Sequence, residues 1–521
     1  MIKTLVRKNA YFDSVFLMLA TKALKQQPGV KEAVVAMGTE VNLALLKEIG
    51  LLWEEAESAR PNDLVIAVDA ETRESAEEAC RIAEEILKEK SHGGPEAEYR
   101  PVSLDGALKI FPDANLAVIS VPGMYAAREA RKALRAGLHV MVFSDHVPVE
   151  EEVELKDLAL EKGLLMMGPD CGTAILNGKP LCFANVVRRG PIGLVAASGS
   201  GLQEVCCCID RMGGGISQAI GTGGRDLQDP RVRGRMMLMG SEALKEDPQT
   251  RVIVVLSKPP AEEVAATVIS KLEEARKPCV VHFLGRKPSG NRRSIWFSEN
   301  MEEAAAMAVA LSKGEAYLGG PGRPSGAEMA RVSEAEVKAM SSEQRYMRGL
   351  FAGGTLATEA MAPFEREGFR VFSNVRKESG PALRSPHRSE EHTIVDMGDD
   401  VFTLGRPHPM IDPSLREERI MTEAADPETA LLLLDVVLGY GAHEDPCGPL
   451  AQTLAKAKAA VADRGGYLSV IASITGTERD FQNMAEQKRK LDGVGCMVMP
   501  SNYQAAVMAL HVIKKLRARW T

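Results

Sequence analysis

Two short runs of glycine and hydroxyl residues each connect an apolar, strand-like run to a helix-like segment. Small residues let backbone N–H groups approach a phosphate closely, and a helix N-terminus adds about half a positive charge. One such unit is weak evidence, because ordinary turns also use glycine and serine, but two matching units indicate related domains and predict a shared phosphoryl site. The predicted phosphate-binding residues are Ser198, Gly199, Ser200, Gly353, Gly354 and Thr355.

Glycines and charged residues follow several other predicted strands in the same way. The carboxyl ends of parallel strands meet at one edge of an open sheet, where ligands bind in such folds, so these residues could line an active site. They could equally be solvated turns; Arg225, for example, could clamp an anion or pair with Asp226 or Asp229. The candidate substrate-binding residues are Gly223, Arg225, Asp396, Gly441, Glu478 and Arg479.

Histidines and cysteines offer fewer candidates. His408 and His443 stand near carboxylates and are either acid–base groups or partners of those acids. Nine cysteines with no CxxC pair argue against a disulfide framework and a zinc site. Three of them, Cys206–Cys208, lie on one predicted helix, where consecutive side chains cannot chelate one metal tetrahedrally. No metal site is therefore predicted.

The elements that must position these residues alternate along the chain. Strand-like runs followed by helix-like runs imply an α/β protein with parallel, doubly wound sheets. At roughly 150 residues per domain, a chain of 521 residues is long enough for roughly three to four domains. We predict a small α/β sandwich over 1–90 and further domains over 101–189, 190–313 and 345–521, with Gly/Pro-rich linkers over Ser91–Pro101 and Gly314–Gly326.

The composition excludes several classes of protein. With 71 acidic against 64 basic side chains the net charge is −7, and no block rich in Lys and Arg stands out, so no nucleic-acid partner is expected. No apolar run is long enough to cross a bilayer, and the N-terminal segment is not typical of a secretory signal. We therefore expect a cytoplasmic protein without a membrane partner.

Ile119–Gly285 resembles the α subunit of succinyl-CoA synthetase, and residues 349–510 are similar to the carboxy-terminal domain of that enzyme's β subunit. The complete layout, with a small domain in front, closely resembles the FdrA family. The motifs that carry these likenesses are Ser120–Gly123, Gly168–Gly172, Gly193–Gly201, Gly221–Gly224, Glu246–Thr250, Ile394–Gly398, Arg406–Pro409, Ala430–Gly441 and Gly439–His443. The resemblance implies a ferredoxin-like or ACT-like first domain, a CoA-binding Rossmann-like domain and two flavodoxin-like succinyl-CoA-ligase domains.

Three departures from succinyl-CoA synthetase bear on the activity. That enzyme carries phosphate on a histidine in a glycine-rich loop, whereas the matching stretch Gly285–Gly290 contains no histidine. The glutamate that supports the phosphohistidine is also missing, because the matching stretch Ser257–Pro260 contains no acid. An ATP-grasp domain is absent between the α-like and β-like parts. ATP-driven CoA ligation by this chain alone is therefore not expected.

The FdrA likeness implies a subunit of an oxamate carbamoyltransferase, which uses carbamoyl phosphate in allantoin or purine breakdown. The phosphoryl site would hold the phosphate of carbamoyl phosphate and stabilise its charge as it leaves. In this hypothesis Arg225 and Arg479 hold the oxamate carboxylate, and His408 or His443 polarises the carbonyl or moves a proton. Other subunits of the pathway and a homo-oligomer are the expected partners.

An alternative hypothesis is a CoA-binding component of an NDP-forming acyl-CoA synthetase, with a separate ATP-grasp partner. Ser120, Pro122 and Pro148 occupy positions where that family contacts CoA, which is the one cofactor that the resemblance implies. The glycine fingerprint expected ahead of them is not evident around Leu104–Leu108. A third hypothesis is a non-catalytic scaffold that gathers enzymes of one pathway.

Overall fold

The computed structural model describes residues 1–10, 12, 14–92, 101, 103–286, 290–292, 294–317, 319, 325–375, 380–403 and 406–519. The chain forms two compact units. One consists of residues 1–101 and 400–408, and the other of residues 102–399 and 409–521. Parts of both predicted linkers, and Lys287–Ser289 of the stretch that replaces the histidine loop, lie outside the described residues.

The first unit is an α/β sandwich, as predicted. Its elements are β1 (Ile2–Arg7), α1 (Ser14–Lys25), β2 (Val30–Met37), α2 (Glu40–Glu48), α3 (Glu54–Glu57), β3 (Leu64–Ala70) and α4 (Arg73–His92). The strands form an antiparallel sheet in the order β1-β3-β2. The helices α1 and α4 pack on one face and the segment of α2 and α3 on the other, so that β3 is buried along nearly its whole length.

The second unit begins with three short parallel strands. The elements are α5 (Leu104–Ile110), β4 (Leu116–Ile119), α6 (Gly123–Arg135), β5 (His139–Val142), α7 (Val149–Glu161) and β6 (Met166–Met167). The strands lie in the order β4-β5-β6. A complete dinucleotide-binding sheet has two such halves, and its phosphate-binding glycines follow the first strand of the first half. Among the described residues, this sheet has the extent of one half.

A seven-stranded sheet follows. Its elements are β7 (Thr173–Leu176), β8 (Lys179–Cys182), β9 (Arg189–Ala197), α8 (Gly199–Arg211), β10 (Ile216–Gly221), α9 (Arg225–Gln228), α10 (Arg235–Glu246), β11 (Val252–Ser257), α11 (Glu262–Glu273), β12 (Cys279–Phe283), β13 (Ile295–Phe297), α12 (Met301–Ser312) and α13 (Gly326–Lys338). The order is β13-β12-β11-β9-β10-β7-β8. The strands β9 to β13 are parallel, and the hairpin β7–β8 adds an antiparallel edge.

The last sheet has six parallel strands. The elements from here to the end of the chain are β14 (Tyr346–Phe351), α14 (Gly354–Arg366), β15 (Val371–Ser373), β16 (His392–Asp396), α15 (Asp400–Thr403), α16 (Ser414–Ala425), β17 (Thr429–Val437), α17 (Cys447–Ala462), β18 (Ser469–Thr475), α18 (Met484–Asp492), β19 (Met497–Met499) and α19 (Asn502–Arg517). The order is β15-β16-β14-β17-β18-β19. The short helix α15 belongs to the first unit.

The seven-stranded and six-stranded sheets share one hydrophobic core. Leu202 of α8 and Met307 of α12 lie in the same buried cluster as Leu356 of α14 and Met508 of α19. These helices pack against one another between the two sheets. Because burial of apolar side chains contributes about 25 cal/mol per Å² of area removed from water, this shared core fixes the two sheets relative to each other.

The mixed α/β class with several parallel sheets is confirmed. The short strands β7, β8, β13 and β15 were not predicted. The hairpin β7–β8 lies within the predicted range 101–189 but pairs with β10 of the seven-stranded sheet; the four domain ranges remain predictions. In the part of the chain that the structure describes, no helix combines the length and the hydropathy needed to cross a membrane.

Candidate functional site

The N-termini of α8 and α14 meet at a direct contact between two side chains. The hydroxyl oxygens of Ser198 and Thr355 lie 2.6 Å apart and share a hydrogen bond, although the residues are 157 positions apart in the sequence. Both side chains are buried. Ser198 is also the N-cap of α8, since its Oγ accepts a hydrogen bond from the backbone N–H of Gly201 at 3.1 Å.

Glycine is required where the two helix ends approach each other. A Cβ atom on Gly201 would lie 2.9 Å from Thr355 Cγ2, and one on Gly353 would lie 2.9 Å from Ser200 Cβ. Contacts this short do not persist, so a side chain at either position would push the helix ends apart. Gly353, which the sequence analysis assigned to phosphate binding, therefore also sets the spacing of this junction.

Asp435 of β17 holds the loop that precedes α14. Its carboxylate accepts hydrogen bonds from the backbone N–H groups of Ala352 at 2.7 Å and Gly353 at 2.9 Å, and it pairs with Arg416 at 3.1 Å. Burial raises the pKa of Asp435, and the Arg416 charge opposes that rise. Both of its oxygens have donors and its charge has a buried partner, so Asp435 is a structural carboxylate.

Asp396, a predicted substrate-binding residue, ends β16 and lies against the first residue of α14. A Cβ atom on Gly354 would overlap Oδ2 of Asp396, while the backbone N–H of Gly398 donates to Oδ1 at 2.9 Å. Burial raises the pKa of Asp396 to about 7, and the positive charge of Lys258 opposes that rise. A carboxyl group that titrates near neutral pH at this edge of the sheet can give or accept a proton.

The half-buried rim of the junction offers backbone N–H groups to a ligand. Gly199, Ser200 and Gly354 lie in the first turns of their helices, where N–H groups have no partner within the helix. All six predicted phosphate-binding residues therefore lie together, with Asp396 beside them. The hydroxyls of Ser198 and Thr355 bond to each other, so the N–H groups and the Ser200 hydroxyl remain as the candidates for the predicted phosphate contacts.

Gly223 and Arg225, two further predicted substrate-binding residues, follow β10. Arg225 pairs with Glu152 through Nε at 2.8 Å and donates from Nη2 to the carbonyl oxygen of Val147 at 2.8 Å. Glu152 is thus its ion-pair partner in place of the expected Asp226 or Asp229. Gly223 has a φ of 84°, and a Cβ atom there would overlap the carbonyl oxygen of Pro169. Close packing accounts for this glycine.

Gly441, a fourth predicted substrate-binding residue, lies in a loop after β17 that packs on the segment after β8. A Cβ atom on Gly441 would lie 2.7 Å from a ring carbon of Phe183. The next strand-end loop makes contacts of the same kind, because Asp480 accepts hydrogen bonds from the backbone N–H of Val186 at 2.8 Å and from the Asn185 amide at 2.9 Å. These loops join the two sheets.

Glu478 and Arg479 are exposed on the loop after β18. His443, proposed as an acid–base group, accepts a hydrogen bond at Nδ1 from the backbone N–H of Asp445 at 3.0 Å. His408 belongs to the other compact unit, with residues 1–101. The catalytic and substrate-binding roles of these four residues stay predictions.

The predicted CoA contacts lie at the carboxyl ends of β4 and β5. Ser120 follows β4 directly, and Pro122 and Pro148 are the N-cap residues of α6 and α7. A Cβ atom on Gly123 would overlap the carbonyl oxygen of Asp145, so the two loops are in direct contact. The three residues therefore share one edge of the three-stranded sheet, and CoA binding there stays a prediction.

Lys258, Asn374 and Asp435 were not among the predicted site residues. Asn374 fixes the end of β16, because its side chain accepts from the backbone N–H of Asp396 and donates to the carbonyl oxygen of the same residue, both at 2.9 Å. One signal was available: Asp435 is the one charged residue within the apolar strand Thr429–Val437. A charge in such a strand is costly to bury unless it is paired, which marks it as structurally or functionally important.

Comparison with known proteins identifies relatives of each part of the chain. Residues 1–101 match the family described as "AllF, heavy metal-associated domain", and residues 350–512 match the family described as "CoA-ligase". The protein YahF of Escherichia coli (strain K12) is 44% identical over 520 residues, which is 99% of each chain. The α subunit of succinate–CoA ligase [ADP-forming] of Aquifex aeolicus (strain VF5) is 31% identical over 240 residues, which is 43% of this chain and 76% of that subunit.

Among solved structures, the apo form of the dinucleotide-forming acetyl-coenzyme A synthetase 1 of Ca. Korarchaeum cryptofilum is similar. It is 17% identical, with a TM-score of 0.32, and the match covers 78% of this chain and 84% of that chain.

The residues of the first unit do not fit a heavy-metal site. Cys80 and His92 are the cysteine and the histidine within residues 1–101. Cys80 is only 3% exposed in the core between α4 and the sheet, and burial raises the pKa of its thiol, so the metal-binding thiolate is disfavoured. Among the described residues of this unit, no three His, Cys, Asp or Glu side chains lie close enough to share an ion.

We therefore expect the chain to bind no heavy metal through its first unit. Purified protein incubated with zinc or copper(I) and then desalted should retain no stoichiometric metal that the Cys80→Ala variant lacks, as measured by elemental analysis. A chelator should leave the melting temperature unchanged. One metal ion per chain in the wild type and none in the variant would contradict this expectation.

Proposed function

Since this chain belongs to the family of the Escherichia coli protein YahF and, over its middle part, to that of the succinate–CoA ligase α subunits, we propose that it is the acyl-handling component of an acid–thiol (CoA) ligase. It binds an acyl phosphate at the paired N-termini of α8 and α14, and CoA beside the loops after β4 and β5. A separate ATP-grasp partner handles the nucleotide. The observation that carries this proposal is the hydrogen bond that joins Ser198 to Thr355.

The junction has the charge distribution that an acyl phosphate needs. Both α8 and α14 are 13 residues long, so each carries a developed macrodipole with its positive end at the junction. A phosphate held there accepts hydrogen bonds from N–H groups that are already in place, and the negative charge that develops as it leaves is stabilised without reorganisation. The acyl carbonyl is then free to meet a nucleophile at the half-buried rim.

The stretches that differ from succinyl-CoA synthetase favour a second candidate function, in which the chain uses an acyl phosphate and does not make one. Gly285–Gly290 contains no histidine to carry phosphate, and Lys258 stands in the stretch where that enzyme has a glutamate. Among the described residues, the sheet β4-β5-β6 has the extent of half a dinucleotide-binding fold. A site of this kind suits a ready-made acyl phosphate. In the FdrA-type candidate that ligand is carbamoyl phosphate, and the carbamoyl group passes to oxamate with release of phosphate.

We expect carbamoyl phosphate, or CoA, to raise the melting temperature of the purified protein. A ligand at about 100 times its dissociation constant adds about 2.7 kcal/mol to the free energy of unfolding. A shift with CoA supports the ligase component, and a shift with carbamoyl phosphate alone supports the FdrA-type transferase. The double variant Ser198→Ala with Thr355→Val should lose the shift with carbamoyl phosphate, because the two helix N-termini are no longer tied together.

The chain offers a matched control for that double variant. Ser217 and Thr250 form another buried hydroxyl pair at 2.6 Å, within the seven-stranded sheet region and away from both helix N-termini. The variant Ser217→Ala with Thr250→Val should lose similar stability yet keep the ligand shift. If both double variants respond to carbamoyl phosphate like the wild type, the phosphoryl site is assigned wrongly. If neither ligand raises the melting temperature of the wild type, the result favours the non-catalytic scaffold over both enzyme hypotheses.

A further inference from the structure

Lys258 and Asp396 lie beside the two helix N-termini of the phosphoryl site. Ser257, the last residue of β11, is aligned with Ala197, which directly precedes the N-cap of α8. Asp396, the last residue of β16, is aligned with Phe351 at the end of β14, just ahead of the loop to α14. Lys258, which follows Ser257, and Asp396 therefore each lie at the end of a strand next to one of the two helix N-termini. The positive charge of Lys258 acts on the carboxyl group of Asp396.

The carboxylate of Asp396 is held by its surroundings but is not enclosed by them. Asn374 bonds both the backbone N–H and the carbonyl oxygen of Asp396, and Gly398 donates to Oδ1. The second oxygen, Oδ2, lies against Gly354, and the side chain remains half-buried. Lys258 is also half-buried. A ligand at the rim can therefore reach both groups.

Asp435 shows what a purely structural aspartate in this sheet looks like. It is fully buried, it accepts two backbone N–H bonds and it pairs with the buried Arg416. Among the described residues, Asp396 accepts one backbone hydrogen bond at its carboxylate, from Gly398, and pairs with no arginine, and its side chain is half-buried. In the described part of the chain, the charges of Lys258, Asp399 and Asp435 act on Asp396, and the two acids disfavour its ionised form.

We propose that Lys258 and Asp396 are a catalytic pair for acyl phosphates. The ammonium group of Lys258 binds phosphoryl oxygens, and Asp396 carries a proton from the nucleophile to the departing phosphate. This inference rests on the proposed function, since it requires an acyl phosphate at the junction. It holds for either nucleophile, the thiol of CoA or the amide nitrogen of oxamate, because both must lose a proton.

The step balances without any other reactant. The nucleophile attacks the carbonyl carbon, a new bond forms there, and the bond between that carbon and the phosphate oxygen breaks with its electron pair on the oxygen. The Asp396 carboxylate takes the proton of the nucleophile and passes it to that oxygen. Phosphate leaves as the hydrogen phosphate dianion, and Asp396 returns to its starting form.

Sulfate is a suitable probe, because it mimics a phosphoryl dianion and does not titrate between pH 6 and 8. We expect the wild type to bind sulfate about tenfold more weakly at pH 8 than at pH 6, which corresponds to about 1.4 kcal/mol, as Asp396 ionises beside the anion. Asp396→Asn should bind with the same affinity at both pH values. Lys258→Met should bind about tenfold more weakly at both, and Lys258→Arg should keep most of the affinity.

The exposed pair Lys488 and Asp492, on α18, supplies the control. The variant Lys488→Met with Asp492→Asn removes the same two charges and should behave like the wild type. In a phosphate-release assay with carbamoyl phosphate or acetyl phosphate and either acceptor, Asp396→Asn should lower kcat about 100-fold with little change in KM. A wild type that binds neither sulfate nor an acyl phosphate overturns the proposed function. If the wild type binds these anions but the Asp396→Asn variant keeps the wild-type pH dependence of sulfate binding or the wild-type kcat, only the proposal of a catalytic pair is overturned.

Discussion

Replacing Lys156 by methionine is expected to lower the free energy of unfolding by about 3–5 kcal/mol, because it breaks a buried ion pair from one side. Lys156 lies on α7 and is fully buried. Its ammonium group donates hydrogen bonds to Asp226 Oδ1 at 2.9 Å and to the carbonyl oxygen of Thr222 at 3.1 Å, and it forms an ion pair with Glu152 Oε1 at 2.9 Å.

The loss is large because two buried carboxylates depend on this one ammonium group. Glu152 keeps a second cation, since its Oε2 lies 2.8 Å from Arg225. Among the described residues, Asp226 then keeps the backbone N–H groups of Met236 at 3.3 Å and Met237 at 2.7 Å as donors. The network joins α7 of the three-stranded part to α9 and α10 of the seven-stranded part. Its failure should therefore loosen the contact between these two sheets.

Urea unfolding followed by circular dichroism measures this effect. Lys132→Met is the control, because Lys132 on α6 pairs with Glu129 in an exposed position, and such pairs contribute about 1 kcal/mol at most. Adding Asp226→Asn to Lys156→Met should restore part of the lost stability, because the second substitution removes the carboxylate charge that the first one leaves without a cation. A loss below about 1 kcal/mol for Lys156→Met would contradict the prediction.

The second large effect is a fall in stability as the pH rises from about 4.5 to about 8, caused by Glu359. Its carboxyl group, on α14, is buried and accepts hydrogen bonds from the backbone N–H of Met301 and the side chain of Asn502, both at 2.8 Å. Burial raises the pKa of Glu359 to about 8, and the nearby carboxylates of Glu204 and Glu302 add to the rise.

The direction follows from proton counting. Between pH 4.5, where the carboxyl group of the unfolded chain ionises, and pH 8, the folded protein holds a proton that the unfolded chain has released. Each rise in pH through this window therefore favours the unfolded chain, and the cumulative loss is on the order of a few kcal/mol. Above that window the effect of Glu359 is complete and the stability no longer falls on its account.

Melting temperatures at pH 5.5, 7 and 8.5 test this, with Glu359→Gln as the variant. The fall should be clearly smaller in the variant, even if the glutamine lowers the stability at every pH. Asp396 contributes a fall of the same sign, so the difference between the two proteins isolates Glu359. Glu367→Gln, an exposed partner of Lys514, should keep the wild-type slope. Parallel pH profiles for the wild type and Glu359→Gln would exclude the effect.

The junction of the two helix N-termini, which we propose as the phosphoryl site, was predictable because its signal is local. A strand, two or three small residues and a helix follow one another at Ser198 and again at Gly353, and repetition made the pattern specific. The hairpin β7–β8 also had a local signal, since Asn177-Gly178 is a typical two-residue hairpin turn and both residues have positive φ. That signal was missed because the short strands on either side are weakly patterned.

The partners of the charged residues could not be predicted in this way. The charge of Lys258 acts on Asp396 because β11 and β16 belong to different sheets that share one core, and no spacing in the sequence records that arrangement. Arg225 pairs with Glu152, an acid on a helix that lies far earlier in the chain, although closer acids stood beside it in the sequence. Local patterns predict elements and loops, whereas ion pairs depend on how the elements pack.

The bond between Ser198 and Thr355 lies within one polypeptide, and this changes how the site responds to dilution. Where two separate chains supply the two helix ends, the fraction of assembled sites falls with concentration. Here the fold itself sets the effective concentration of the second helix end. For partners joined by a short linker, this effective concentration is on the order of millimolar. The helix pair therefore stays assembled at any protein concentration, and the proposed ATP-grasp partner would need to bind only one preformed surface.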